Sequence, residues 1–169
     1  MGNHRNTKHH FMYASEWCKS QRELLALEHD EEKAGLADKL AQLSPLECEK
    51  EGLSLLGLEL DGTKTGLYGR TVLSLLCKRE RVSGNSFKVG DEVQLSAPSL
   101  TGNPAQHALA TVTGVLLRSN AQGVLEMAVG GGPDDEVDEA LLRASPPLRL
   151  DLLANDATHS KMLKALAEI

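Results

Sequence analysis

Aromatic residues are scarce in this chain, only 3% of 169 residues, and within positions 38–153 they amount to Tyr68 and Phe87. A core here must be built from Leu, Val and Ala, and a surface of many stacked aromatic platforms is excluded. Cysteines number three, Cys18, Cys48 and Cys77, widely spaced and without a CxxC pair. That pattern offers neither a disulfide framework nor a thiolate metal site and fits a reducing compartment, the cytoplasm or nucleus. No apolar run approaches the roughly 20 residues of a membrane span, and no apolar segment follows Arg5 and Lys8, so neither a membrane partner nor a secretory signal is expected.

Nucleotide chemistry is missing as well. A phosphate-binding loop needs GxxxxGK[ST], with the lysine directly after the second glycine. In Gly57–Thr65, Thr63 stands between Gly62 and Lys64. The Gly130-Gly131-Gly132 run is followed at once by acids at Asp134 and Asp135, which would repel phosphate. His4, His9 and His10 lie near the N-terminus and His29, His107 and His159 are scattered, so no metal-ligand spacing appears. There is no Gly-x-Ser-x-Gly elbow, and Cys48 sits between Glu47 and Glu49, a field opposed to thiolate formation. No catalytic, cofactor or metal residue is assigned.

What the chain does contain is organised. Residues 1–13 are polar and His-rich and read as a disordered tail. From Ser15 to about Leu43, Trp17, Leu24, Leu27, Ala34, Ala37 and Ala41 recur at helical spacing on an otherwise charged helix. Ser44-Pro45 caps and opens a short helix that Gly52 ends. Apolar runs at Leu53–Leu60 and Leu67–Leu76 then flank Asp61-Gly62, a hairpin signal. Further strands fall at Glu92–Leu95, Ala108–Leu117, Val124–Val129 and Leu148–Leu153, a spacing that suits a small antiparallel barrel. Asn155 or Asp156 caps a last helix with Met162, Leu163, Leu166 and Ile169 on its apolar face. The chain stops on that face, as though the helix continued in a longer protein.

The expected class is α+β, mainly β: a small antiparallel β-barrel flanked by two stalk helices. The divisions are a tail over 1–13, a first stalk helix over 14–43, a barrel with its short leading helix over 44–153, and a second stalk helix over 154–169. The stalk helices should pair antiparallel through Trp17, Leu24, Leu27, Met162 and Leu166.

Charge is unevenly placed. The formal net charge is -6, yet between Gly62 and Gly90 lie Lys64, Arg70, Lys78, Arg79, Arg81 and Lys88 against the single acid Glu80. These six are the candidate phosphate-contacting residues; the competing account is an ordinary solvated strand face. With so few aromatics, any contact to single-stranded DNA or RNA is expected to be weak and blind to sequence. Tyr68 reads more readily as a core residue beside Gly69 than as a stacking platform.

Three blocks carry a resemblance: Thr65-Gly66-Leu67-Tyr68-Gly69-Arg70, Asn85-Ser86-Phe87-Lys88-Val89-Gly90-Asp91 and Leu153-Ala154-Asn155-Asp156-Ala157-Thr158. In this order they resemble the N-terminal region of superfamily 1 helicases of the immunoglobulin mu-binding protein 2 type. The resemblance implies a stalk and 1B-type barrel set into a RecA-like motor that hydrolyses ATP with Mg and moves 5′ to 3′ on single-stranded DNA or RNA. It places the ATP-contacting lysine, the magnesium carboxylates and the arginine finger beyond this chain, and makes the RecA-like motor domains of the same protein its partners. A stand-alone nucleic-acid-binding barrel and a protein-interaction module are the other readings open to these residues.

Overall fold

A computed structural model describes residues 4–77, 87–97, 110–120, 122–129 and 147–168, with side chains from Ser15 onward, Ala110 excepted. The described elements run α1 (His4–Gln42), α2 (Pro45–Lys50), β1 (Ser54–Thr65), β2 (Thr71–Cys77), β3 (Glu92–Ala97), β4 (Ala110–Ser119), β5 (Val124–Val129), β6 (Leu148–Leu152) and α3 (Asp156–Ala167). Helix α1 is continuous from His4, so it begins inside the segment that the polar, His-rich composition suggested was a tail. Two compact units result, Met1–Ala37 with Ala154–Ile169, and Asp38–Leu153.

In the second unit the six strands close into an antiparallel barrel in the order β1-β2-β5-β4-β3-β6. The mainly β, α+β class read from the sequence is therefore the observed one. Alternation explains the closure: along β2, Leu73, Leu75 and Cys77 point inward, and along β3, Val93, Leu95 and Ala97 do the same. They meet Leu125, Met127, Val129, Leu148 and Leu150, with Phe87 the barrel's only buried aromatic. Leu and Val side chains suffice because a six-stranded barrel has a narrow interior.

Asp61-Gly62 does not form the turn expected of it. β1 runs on to Thr65, and its pairing with β2 slips by one residue between Leu60 and Gly62, which leaves Asp61 as the extra residue of a bulge. A second slip, against β6, falls between Leu56 and Leu58, where Gly57 takes φ 72°. The two bulges let one long strand bend between two neighbours. The short helix α2 leans on β1. It opens with a full capping box, Ser44 Oγ accepting from Glu47 N and Ser44 N donating to Glu47 Oε2 at 2.8 Å. Hydrogen bonding to its carboxyl, first from the Ser44 side chain and then from the Ser44 backbone N–H, holds Glu47 below its ordinary pKa. Cys48, on the inner side of this helix, is fully buried and reduced.

In the first unit α1 and α3 pair antiparallel. Arg22 donates to Leu166 O at 3.0 Å near one end, while His29 and Lys33 reach Asp156 near the other, at 2.5 and 2.6 Å. The seam is not the expected one. Trp17, Leu24 and Leu27 are 53%, 55% and 66% exposed. The contact line instead follows Cys18, Arg22, Leu25, His29 and Glu32, one residue round the helix, at the 4-3-4-3 spacing of paired helices. Polar anchors rather than the largest apolar side chains choose the face. His29 and His159, 130 positions apart, stack with ring centroids 4.2 Å apart. Asn155 caps α3, its Oδ1 accepting from Thr158 N at 2.9 Å. No described helix is long and apolar enough to cross a membrane.

The Asp156 carboxyl is held below its ordinary pKa, first by the hydrogen bond from Lys33 and then by that from His29. A depressed acid contributes stability that is present above its unfolded pKa, near 3.9, and is lost as pH falls through the lower folded value. Asp156 is half exposed, so the contribution belongs to the ~0.2–1 kcal/mol range of surface pairs. Asp156→Asn should lower the melting temperature slightly at neutral pH, with the difference from wild type shrinking as pH falls through the depressed folded value, measured by circular dichroism across pH.

Candidate nucleic-acid interface

The link between β1 and β2 is built from the first of the three blocks. Thr65 pairs with Thr71, and the loop between them is closed by Gly66 N donating to Arg70 O at 2.7 Å and Arg70 N to Leu67 O at 3.3 Å. Leu67–Gly69 forms a single 3-10 turn. To reverse the chain this tightly, Tyr68 and Gly69 both take left-handed backbone, at φ 58° and φ 76°. Gly66 is required by space, since a Cβ there would stand 2.7 Å from Val72 Cγ2.

Tyr68 is therefore not the core residue expected; it is 98% exposed. The error follows from that over Asp61-Gly62. With the turn placed there, Thr65–Arg70 became the start of a strand, whereas it is the turn itself. A bulky L-residue in the left-handed region costs about 1–2 kcal/mol, and Tyr68 is the sole non-glycine described residue with positive φ.

The three described basic candidates, Lys64, Arg70 and Lys88, do not converge. Lys64 and Arg70 flank this loop, both exposed. Lys64 Nζ lies 2.9 Å from Glu126 Oε1 on the outer barrel wall, and Arg118, a cation the sequence reading passed over, lies 4.0 Å from the same oxygen. Arg118 was hidden in an apolar strand; only the register that sets it opposite Glu126 brings it to this face. Arg70 makes no ion pair among the described residues. Lys88 belongs to the opposite end of the barrel, where Phe87 to Asp91 lead into β3; its N–H donates to Asp91 Oδ2 at 2.6 Å and Gly90 N donates to Leu116 O at 2.8 Å. Six-residue strands separate the two ends by about 20 Å. Lys78, Arg79 and Arg81 lie outside the described residues.

The third block has a structural role in the helical unit, capping α3 and anchoring His29 and Lys33. Two of the histidines read as scattered, His29 and His159, are brought together there, but no group of three or more metal-ligating side chains occurs among the described residues. Gly57–Thr65 is extended strand throughout, hydrogen-bonded to β2 and β6, and presents no loop leading into a helix. Among the described residues no loop is shaped to hold the phosphates of ATP with Mg, the group implied for the parent of such a chain.

Taken together these features define a closed barrel that exposes a hairpin tip carrying Arg70 and an aromatic ring. The family model for the 1B domain of SMUBP-2/HCS1 helicases matches residues 18–140, and the chain belongs to this family. It is 32% identical over 150 residues to the DNA-binding protein SMUBP-2 of Rattus norvegicus, an alignment covering 86% of this chain and 14% of that relative.

Glu126 pairs with two cations on the outer wall, Lys64 and Arg118. Glu126→Gln should raise affinity for a single-stranded 20-mer about two- to threefold at low salt and steepen the salt dependence by up to one phosphate's worth, about 0.7 in slope. Fluorescence anisotropy at two ionic strengths measures both, and an unchanged affinity would remove this wall from the interface.

Proposed function

We propose that the chain is the accessory nucleic-acid-binding barrel and stalk of an ATP-dependent 5′-to-3′ DNA or RNA helicase, with the motor in the parts of the relatives that this chain does not span. The observation that carries the reading is the family match over residues 18–140 laid on a closed barrel whose hairpin tip presents Arg70, Lys64 and an exposed aromatic together. The relative's name, DNA-binding protein, supports a nucleic-acid partner. In this role the barrel holds a single strand by its phosphates, weakly and without reading sequence, while ATP and Mg act in the RecA-like motor domains. The exposed Trp17, Leu24 and Leu27 on α1 supply an apolar face of the kind those domains would cover. Such a protein works in the cytoplasm, the nucleus or both.

The mechanism asks little of this chain chemically. Cations near the tip neutralise phosphates and release counterions, which makes binding favourable and salt-dependent. Because the loop is fixed by its own hydrogen bonds and by the closed barrel behind it, little conformational entropy is lost on contact.

Residues 1–169 should bind single-stranded DNA or RNA with Kd on the order of 10⁻⁴–10⁻⁶ M and weaken steeply with salt. Lys64→Glu with Arg70→Glu should lower affinity about equally for all sequences and flatten the salt slope by roughly 1. Anisotropy titrations of several 20-mers check this, and salt-insensitive binding, or a double variant equal to wild type, would return these residues to an ordinary solvated face.

A further inference from the structure

We infer that Tyr68 is a base-stacking residue: its ring takes the face of one nucleobase of a single strand whose phosphates are held by Arg70 and its neighbours. The inference rests on the nucleic-acid reading above and adds the contact that a phosphate-only surface lacks.

Residues 38–153 contain two aromatic side chains. One, Phe87, is buried in the barrel core; the other, Tyr68, is the most exposed large hydrophobic described. A protein this poor in aromatics gains nothing in stability from a tyrosine that touches almost nothing. Its position makes matters worse, because φ 58°, ψ 27° is a conformation that Gly or Asn adopts far more readily. Backbone strain at an exposed residue, held by a surrounding framework, marks a position where something other than folding selects the side chain. The framework is present: Gly66 N bonded to Arg70 O, the Thr65–Thr71 pair, and Gly66 closed against Val72. The loop therefore offers a flat ring on a stiff mount.

The chemistry of the surroundings favours a base over a protein surface. Arg70, two residues on, is exposed and without an ion-pair partner among the described residues, and Lys64 stands on the adjoining strand. A cation for the phosphate beside an aromatic face for the base is the pairing that single-strand binders use, and every base has a π-face, so the contact carries no sequence preference. Leu67, the preceding residue, is also exposed and adds apolar surface at the tip.

The test uses the full chain with two fluorescein-labelled probes, dT20 and a 20-mer of abasic sites with the same phosphate charge, across a salt series. Three variants are compared: Tyr68→Ala, Tyr68→Phe and Tyr68→Asn, the last chosen because asparagine accepts the left-handed turn. For dT20, Tyr68→Ala and Tyr68→Asn should each lower affinity about tenfold, the effect of one base–aromatic stack, with the salt slope unchanged. Tyr68→Phe should bind within twofold of wild type. On the abasic strand all four proteins should bind alike. Tyr68→Asn should also melt at a higher temperature than wild type, which excludes a folding defect as the cause of its loss.

If wild type and Tyr68→Ala bind dT20 equally, with the normal salt dependence, the stacking inference is overturned while the nucleic-acid reading stands, and the tip is left to a protein partner. Equal losses on both probes would likewise overturn it, since the ring would then act without a base. Absence of salt-dependent binding by wild type to either probe would remove the nucleic-acid reading and this inference with it.

Discussion

Strand β1 pairs with β6 through Ser54–Leu58 and with β2 through Leu58–Thr65, and the rest of the barrel depends on that relay from one neighbour to the other. The β1–β6 pairs close the first strand of the sheet onto the last, so among the described residues every strand has a neighbour on each side. A straight twelve-residue strand could not serve both neighbours; the slips at Gly57 and Asp61 supply the bend. Each slip also resets which side chains face inward. Leu55 and Leu58 are buried across the first, and Thr63 pairs with the inward-facing Leu73 beyond the second. The hairpin tip inherits its rigidity from this closure: the last pair of β1 and β2, Thr65 with Thr71, is the base on which the strained loop stands.

Electrostatics divides the work differently between the two units. In the helical unit the charges are internal fasteners, with Asp156 taking both His29 and Lys33 and Arg22 reaching a carbonyl at the C-terminal end of α3. On the barrel wall Glu126 restrains Lys64 and Arg118, while Arg149 and Asp151 pair with each other at 2.7 Å beside the buried Ser54. A chain of net charge -6 is thus not a general polyanion binder. Positive potential is confined to places where a cation outruns its acid, and Arg70 at the tip is the clearest of them among the described residues.

Much of the architecture could be read from the sequence because period-2 alternation and Gly- or Pro-marked breaks are local signals. The alternation over Val124–Val129 gives β5 at its observed bounds, Ser44-Pro45 marks the start of α2, and of the two cap candidates Asn155 and Asp156 it is Asn155 that caps the last helix. The failures share a cause, namely long-range register. Asp-Gly is a turn only if pairing stops there; the pairing with β2 continues past it to Thr65, so the dipeptide sits at a bulge and the turn lies at Thr65–Arg70. From that displacement came the misplacing of Tyr68 in the core. The α1 seam was off by one position because its face is chosen by partners more than 120 residues away, Asp156 and His159, which no helical periodicity reveals. Likewise the basic run looked continuous along the chain, but antiparallel topology sends Arg70 and Lys88 to opposite ends.

The central claim is that the β1–β2 tip is where this barrel meets a single strand. Amide chemical-shift mapping by nuclear magnetic resonance during titration with dT20 tests it most directly. The largest shifts should fall on Thr65 to Thr71 and on the adjoining Lys64, with the β1–β6 pair at Leu55 and Leu150 unmoved. Shifts confined to the Lys88–Asp91 end, or to α1 and α3, would contradict the account.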